Sequence, residues 1–389
     1  MSPKLRVSIL AAAVLLAANG CAAGGSGPAR TPSPTSPPHP IGGVVPVLDP
    51  TTDKPFVLTG VGNLTKIGQV TGADAPGRTD RYAVHGTDLG SVFTVGDTMY
   101  MVFGDTFGER PDDQVGAGGS YWRSNVLGHT TDRDPADGIT LTGMVADDLG
   151  LARELLPGRK VDGDEMTVIP TYGFAVGDTM YLHYMSVRHW GDPGKWDANH
   201  AGLARSTDAG RSWTKLDRVT WPGDSGFIQV AVTHVLEGGV DHLYFWSIPA
   251  GRFGGVRLMR VPAAQVEDPA AYRYFAGTGP AGPRWEIGPD KAALVVDDTV
   301  GELSVAYNAY LGRWIMMYLR EGDGVVLREG ITPWGPWSAP RVAVSAAEHP
   351  GLYAPFQYPM TGENGRRIYF NLSLWGPYNV FVYSIDLEK

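Results

Sequence analysis

The chain is predicted to be all-β: a five-bladed β-propeller with four-stranded blades, its ring closed by a strand from the N-terminal side. Three observations predict it. The string VGDTMY occurs twice, at residues 95–100 and 176–181, each time between strand-like runs. Three further segments repeat the same hairpin-plus-strand plan in degenerate form. No long apolar pattern of period 3.6 occurs anywhere. Self-similar β units at spacings of tens of residues are the signature of a radial repeat rather than of a helical domain.

The first residues read as a targeting segment. Lys4 and Arg6 precede an apolar run over residues 7–18, too short for an ordinary membrane span but long enough for a signal-peptide core. The run ends at Ala18-Asn19-Gly20-Cys21, and Cys21 is the only cysteine of the 389 residues. Small residues before a single Cys are similar to a bacterial lipoprotein cleavage box, although Ala18 stands where such boxes usually carry Leu. Residues 1–21 are therefore expected to be a lipoprotein signal peptide with Cys21 as the lipidation site. A plain secretory signal is the alternative. Internal disulfides are excluded either way.

Residues 22–54 are rich in Pro, Gly, Ser and Thr. Such a stretch has too little apolar surface to offset its ordering entropy, and it is expected to be an extended, disordered tether. Residues 55–389 are expected to be one propeller domain. A net charge of −9 argues against nucleic acid and anionic lipid head groups as partners. The chain is expected to act as a monomer.

The blades are justified in turn. In blade 1, DLGSVFTV leads through Gly96-Asp97 into MYMVFGD; in blade 2, EMTVIPTYGFAV leads through Gly177-Asp178 into MYLHYMS. Gly-Asp between alternating apolar residues is a two-residue hairpin signal. FIQVAVTHVL and HLYFWSI form blade 3, ELSVAYNAYL and WIMMYL blade 4, YAPFQYPM and IYFNLSL blade 5. Further strand candidates follow, and the last, VFVYSI, is only the third of its blade. A strand from residues 56–70 is therefore expected to complete that blade and remove its exposed edge. Ser206, Asp208, Gly210 and Trp213 fit the S-x-D-x-G-x-S/T-W Asp-box of sialidase-like propellers. Their expected role is structural, with Asp208 bonding turn amides and Gly210 supplying a positive φ.

The chemistry is expected where the hairpins of all blades converge on one channel mouth. Counting outward from Val95 opposite Thr98 places Asp88 opposite Asp105 on one face of blade 1. Two like charges so placed are destabilising without a purpose, and a general acid beside a second carboxylate supplies one. A carboxyl gap of about 5 Å favours retention in a glycosidase and about 6.5–9.5 Å inversion; a bulge at Gly104 would splay the pair. Glu165 is a third acid candidate. Arg188, His189, Trp190, Trp196, Arg252, Arg320, Asn371 and Trp375 lie at comparable edges, with His85, Arg123 and Asn199 beside them, as candidates for holding substrate. Arginines bind hydroxyls, and exposed Trp gives a platform for sugar C–H faces; solvated Arg and blade-packing Trp are the bland alternatives. The nine histidines show no close metal-ligand spacing, so no metal or cofactor is expected.

At these residues the sequence resembles a known family. HGTDLGSVF, YMVFGDTFG, WRSNVLGHT, EMTVIPT, MSVRHWGDPGKWDANHAGLARSTDAGRSW and ITPWGPWSAP are similar to the bacterial domain once numbered as unknown function 4185, now glycoside hydrolase family 183. The resemblance runs from about residue 60 to the C-terminus. It implies endo-D-arabinofuranosidase activity on the D-arabinan of mycobacterial arabinogalactan and lipoarabinomannan, with Asp88 and Asp105 at the family's acid positions. The expected partner is thus a cell-envelope polysaccharide, with membrane attachment only through the lipid. The rivals are a non-catalytic glycan-binding propeller and a sialidase-type enzyme. An Asp-box permits the latter but reports fold more than reaction.

Overall fold

The computed structural model describes residues 45–389, so the expected signal peptide, Cys21 and most of the tether lie outside the described residues. The structure is a five-bladed β-propeller. The innermost strand of each blade packs against those of its neighbours, which closes the ring around a central cavity.

Strand β1 (Gly60–Gln69) comes first in the chain and belongs to the last blade. Blade 1 holds β2 (Leu89–Val95), β3 (Thr98–Phe103), β4 (Val126–Thr130) and β5 (Gly143–Met144). Blade 2 holds β6 (Thr167–Val176), β7 (Thr179–Trp190), β8 (Trp196–Ser206) and β9 (Thr214–Pro222). Both VGDTMY strings form the expected two-residue hairpins, with Val95 opposite Thr98 and Val176 opposite Thr179. Blade 3 begins with β10 (Gln229–Glu237), β11 (Val240–Ile248) and β12 (Gly254–Pro262). Three more strands then extend it: β13 (Arg273–Gly279), β14 (Gly282–Glu286) and β15 (Leu294–Val300). One half of β12 pairs with β13 and the other with β15, so this blade has six strands rather than the expected four. Blade 4 holds β16 (Leu303–Asn308), β17 (Arg313–Arg320), β18 (Gly324–Gly330) and β19 (Arg341–Ser345).

Blade 5 is β20 (Leu352–Gly362), β21 (Arg367–Leu374) and β22 (Asn379–Glu388), completed by β1 on the far side of β22. Gly60 pairs with Glu388 and Gln69 with Phe381, so the expected ring closure by an N-terminal strand is present. The approach to β1 is fixed as well. Glu329 of β18, fully buried, accepts from the amides of Val57 and Leu58 and lies 3.1 Å from the Arg313 guanidinium. Within the segment expected as tether, Pro46 and Leu48 already exchange backbone hydrogen bonds with Leu236 of β10.

Residues 206–213 make the turn from β8 to β9. Asp208 accepts from the Ser212 amide at 3.0 Å and hydroxyl at 2.6 Å, Gly210 has φ +82°, and the Trp213 indole donates to the Gly210 carbonyl. Alternation along the strands buries apolar faces between blades, from Val92, Met101 and Phe103 in blade 1 to Trp246, Met316 and Phe370 in later blades. No helix among the described residues is long and apolar enough to cross a membrane.

Candidate active site

A cavity of about 750 Å³ opens at one end of the ring, and Asp88 and Asp105 are in its wall. Asp88 immediately precedes β2 and Asp105 lies two residues beyond β3, so the blade 1 hairpin carries both to the mouth. The register differs from expectation. Ser91 is opposite Val102 as counted, but Leu89 is opposite Phe103, so Gly90 is an extra residue on β2. Leu89 and Gly90 both have left-handed backbone, with φ +67° and +86°. The bulge is thus at Gly90 and not at Gly104. It places Asp88 across from Gly104, whose amide donates to the Asp88 carbonyl, and leaves Asp105 one step further along.

Blade 5 holds the bulge in place. The Asn371 amide donates to the Gly90 carbonyl at 2.8 Å and accepts from the Tyr358 hydroxyl, while the Leu89 amide donates to Ser373 Oγ. Gly104 is required by close approach, because a Cβ there would stand 2.4 Å from Asp88 Oδ1.

The two carboxyls have different surroundings. Asp105 is buried, and its Oδ1 accepts from Trp122 Nε1 at 2.7 Å and Thr167 Oγ1 at 2.6 Å. The Lys160 ammonium sits 4.6 Å from the centre of the Trp122 ring and bonds Glu154 at 2.7 Å. Burial pushes Asp105 up to about 6, against the pull of the Thr167 and Trp122 donors and of the Lys160 charge. Asp88 accepts from the Tyr353 hydroxyl through Oδ2 at 3.0 Å, and its Oδ1 is enclosed without a donor among the described residues. Burial, the neighbouring Asp105 charge and that of Glu302 push Asp88 up to about 8. Both carboxyls are thus held above the ordinary carboxylate range, Asp88 further than Asp105.

Across the cavity, Glu302 accepts from Arg252 at 2.9 Å, and Arg252 reaches Glu321 at 3.2 Å. The Arg252 guanidinium also lies 5.2 Å from the centre of the Tyr353 ring, so this cluster backs the hydroxyl that meets Asp88. Trp190, Trp196, Arg320 and Trp375 line the same cavity, Arg320 in ion pairs with Asp298 and Asp323.

Other residues expected at the mouth do not line the cavity. Asn371 is fully buried under the bulge. Arg123 is buried too, donating to the Ala83 and Ala152 carbonyls and stacked on Tyr121, because the β3–β4 loop carries it inward. Glu165 accepts from Ser186, and Asn199 donates to Ser186 and the Asp164 carbonyl. Arg188 pairs with Asp197 and His189 with Asp162, both exposed. His85 joins the backbone network with Phe107 and Asn379. Among the described residues no group of three or more His, Cys, Asp or Glu is placed to hold a metal ion.

Residues 74–384 match the model of the domain of unknown function DUF4185. The chain belongs to the DUF4185 family. A curated protein similar to this DUF4185 chain is the notoamide biosynthesis cluster protein J′ of Aspergillus versicolor, 28% identical over 218 residues. The match covers 54% of this chain and 58% of that protein, so the chain spans little more than half its relative's length. Among solved structures, a protein described in general terms as a hydrolase from Bacteroides ovatus is similar with a TM-score of 0.51 at 12% identity. It covers 82% of this chain and 93% of its own. An arabinanase of Bacillus subtilis matches with a TM-score of 0.43 at 11% identity, over 78% of this chain and 96% of its own. The first of these is a likeness of fold alone.

Proposed function

We propose that this DUF4185 chain is a glycoside hydrolase of the family 183 type, cutting D-arabinofuranosyl linkages within cell-envelope arabinan. The observation that carries the proposal is the unequal environment of two carboxyls in one cavity wall. Asp88 keeps its proton near neutral pH and protonates the leaving oxygen. Asp105 is ionised, and its Oδ1 is held by Trp122 and Thr167. Its Oδ2 accepts no hydrogen bond among the described residues and acts on the anomeric carbon, directly or through an activated water, as an oxocarbenium-like transition state forms. The Tyr353 hydroxyl fixes the direction of Asp88. Lys160 and Trp122 keep Asp105 charged and oriented. Export and tethering through Cys21 belong to the same proposal and bring the protein to its glycan.

The test is incubation of the purified full chain with D-arabinan, with oligosaccharide release followed by chromatography. Wild type is expected to release oligosaccharides of several lengths, and Asp88→Asn and Asp105→Asn each to lose about 10³-fold or more. No release leaves only a glycan-binding propeller, and release untouched by both substitutions removes Asp88 and Asp105 as the reacting pair.

A further inference from the structure

Blade 1 carries the two carboxyls, and the ring puts blade 2 on one side of it and blade 5 on the other. Each flanking blade presents an indole to the cavity from the end of its second strand: Trp190 closes β7, and Trp375 follows β21. Both are large, apolar and left in solvent, at 37% and 48% exposure, which core packing does not explain.

Each indole is also braced. Trp196 meets Trp190 edge-on, with ring centres 5.5 Å apart at 69°, and Tyr378 meets Trp375 at 5.8 Å and 90°. A Cβ on Gly116 would stand 2.3 Å from the Trp375 ring, so the blade 1 loop lies against that indole. A rigid aromatic ring held beside a largely apolar cavity that carries a few charged side chains, among them Asp88, Arg252 and Glu302, stacks on the C–H face of a sugar while hydroxyls meet those side chains. The bracing rings lead back to the chemistry. Tyr378 adjoins Asp88 and lines the cavity beside it, and Trp196 lies 6.0 Å from the Arg252 guanidinium.

We infer that Trp190 and Trp375 are stacking platforms for sugar units on opposite sides of the scissile bond, so that one glycan chain crosses blade 1 from blade 2 to blade 5. The inference rests on the hydrolase reading for the word scissile and goes beyond it in fixing where the units sit. In a five-membered ring the shorter path between blades 2 and 5 passes over blade 1. A chain resting on both indoles therefore lies across Asp88 and Asp105 and is cut internally.

The experiment uses the full chain, its Trp190→Ala, Trp190→Phe, Trp375→Ala and Trp375→Phe variants, and end-labelled linear oligosaccharides prepared from D-arabinan. Each Ala variant is expected to raise KM about 3- to 10-fold, and each Phe variant to restore most of it. The decisive readout is the cleavage position along the labelled chain. Loss of one platform lets the substrate slide toward the other, so Trp190→Ala and Trp375→Ala are expected to move the main cut in opposite directions. An unchanged position, or the same shift in both, overturns the inference. If wild type does not cleave, oligosaccharide quenching of indole fluorescence separates the two ideas. Quenching reduced in both Ala variants keeps the platforms and removes the hydrolase reading; no quenching in wild type removes both.

Discussion

At the residue scale, the pair Asp88–Asp105 sets a pH window. In the proposed reaction the working form has Asp105 ionised and Asp88 protonated. Activity is therefore expected to rise as pH passes about 6 and to fall as it passes about 8, with a maximum near 7 in a kcat/KM profile. Lys160→Met removes the cation behind Trp122, and the acid limb is expected to move up by about half a pH unit or more, while Lys160→Arg holds it. The same carboxyls cost stability. Unfolded, both lose their protons near pH 4, whereas the folded protein holds them to about 6 and 8. The folded state thus binds more protons through this window, and stability declines as pH rises across it. Asp88→Asn is accordingly expected to melt a few degrees above wild type at pH 8 and level with it at pH 4, by calorimetry.

At the scale of the element, the blade 1 hairpin was readable in part. Its turn follows from Gly-Asp between alternating apolar residues, and counting from that turn gives the observed pairing as far as Ser91 opposite Val102. The count fails at Gly90, because the partners that hold the bulge, Asn371 and Ser373, are some 280 residues away on β21. No local pattern reveals them. Glu302 was within reach of sequence reasoning, since it precedes Leu303 at the start of an inner strand as Asp88 precedes Leu89. Trp122, Thr167 and Tyr353 were not, because they reach the carboxyls from a loop and from neighbouring blades. Asn371→Ala is expected to leave Gly90's carbonyl and the Tyr358 hydroxyl unpaired in a buried site, lowering stability by about 1–3 kcal/mol in chemical denaturation. Its kcat is expected to fall further than loss of folded protein explains, since the bulge sets the offset of the two acids.

At the scale of the whole molecule, ring architecture was the most legible feature. Repeated hairpins and a last blade one strand short demand both a propeller and its closure. The six-stranded blade 3 was not legible, because β13, β14 and β15 lack the alternation that marks the inner strands: several of their residues face solvent. Closure by β1 has a direct test. Removing the chain up to residue 69 strips the partner from β22 and leaves an unpaired edge, and the product is expected to aggregate where the full chain stays soluble. Glu329→Ala loosens the same closure from outside by leaving Arg313 unpaired, and is expected to cost about 3 kcal/mol in a denaturant titration.

The direction of β1 has a further consequence. Leu352, at the start of β20, lines the cavity, so β22 runs away from the mouth and ends at Glu388 on the far face. Gly60 pairs with Glu388, and Pro46 and Leu48 bond Leu236 beside the hairpin turn of blade 3, also distant from the mouth. The polypeptide enters the propeller from behind. With the attachment through Cys21 proposed above, the molecule is held by its back and the cavity mouth faces away from the anchor.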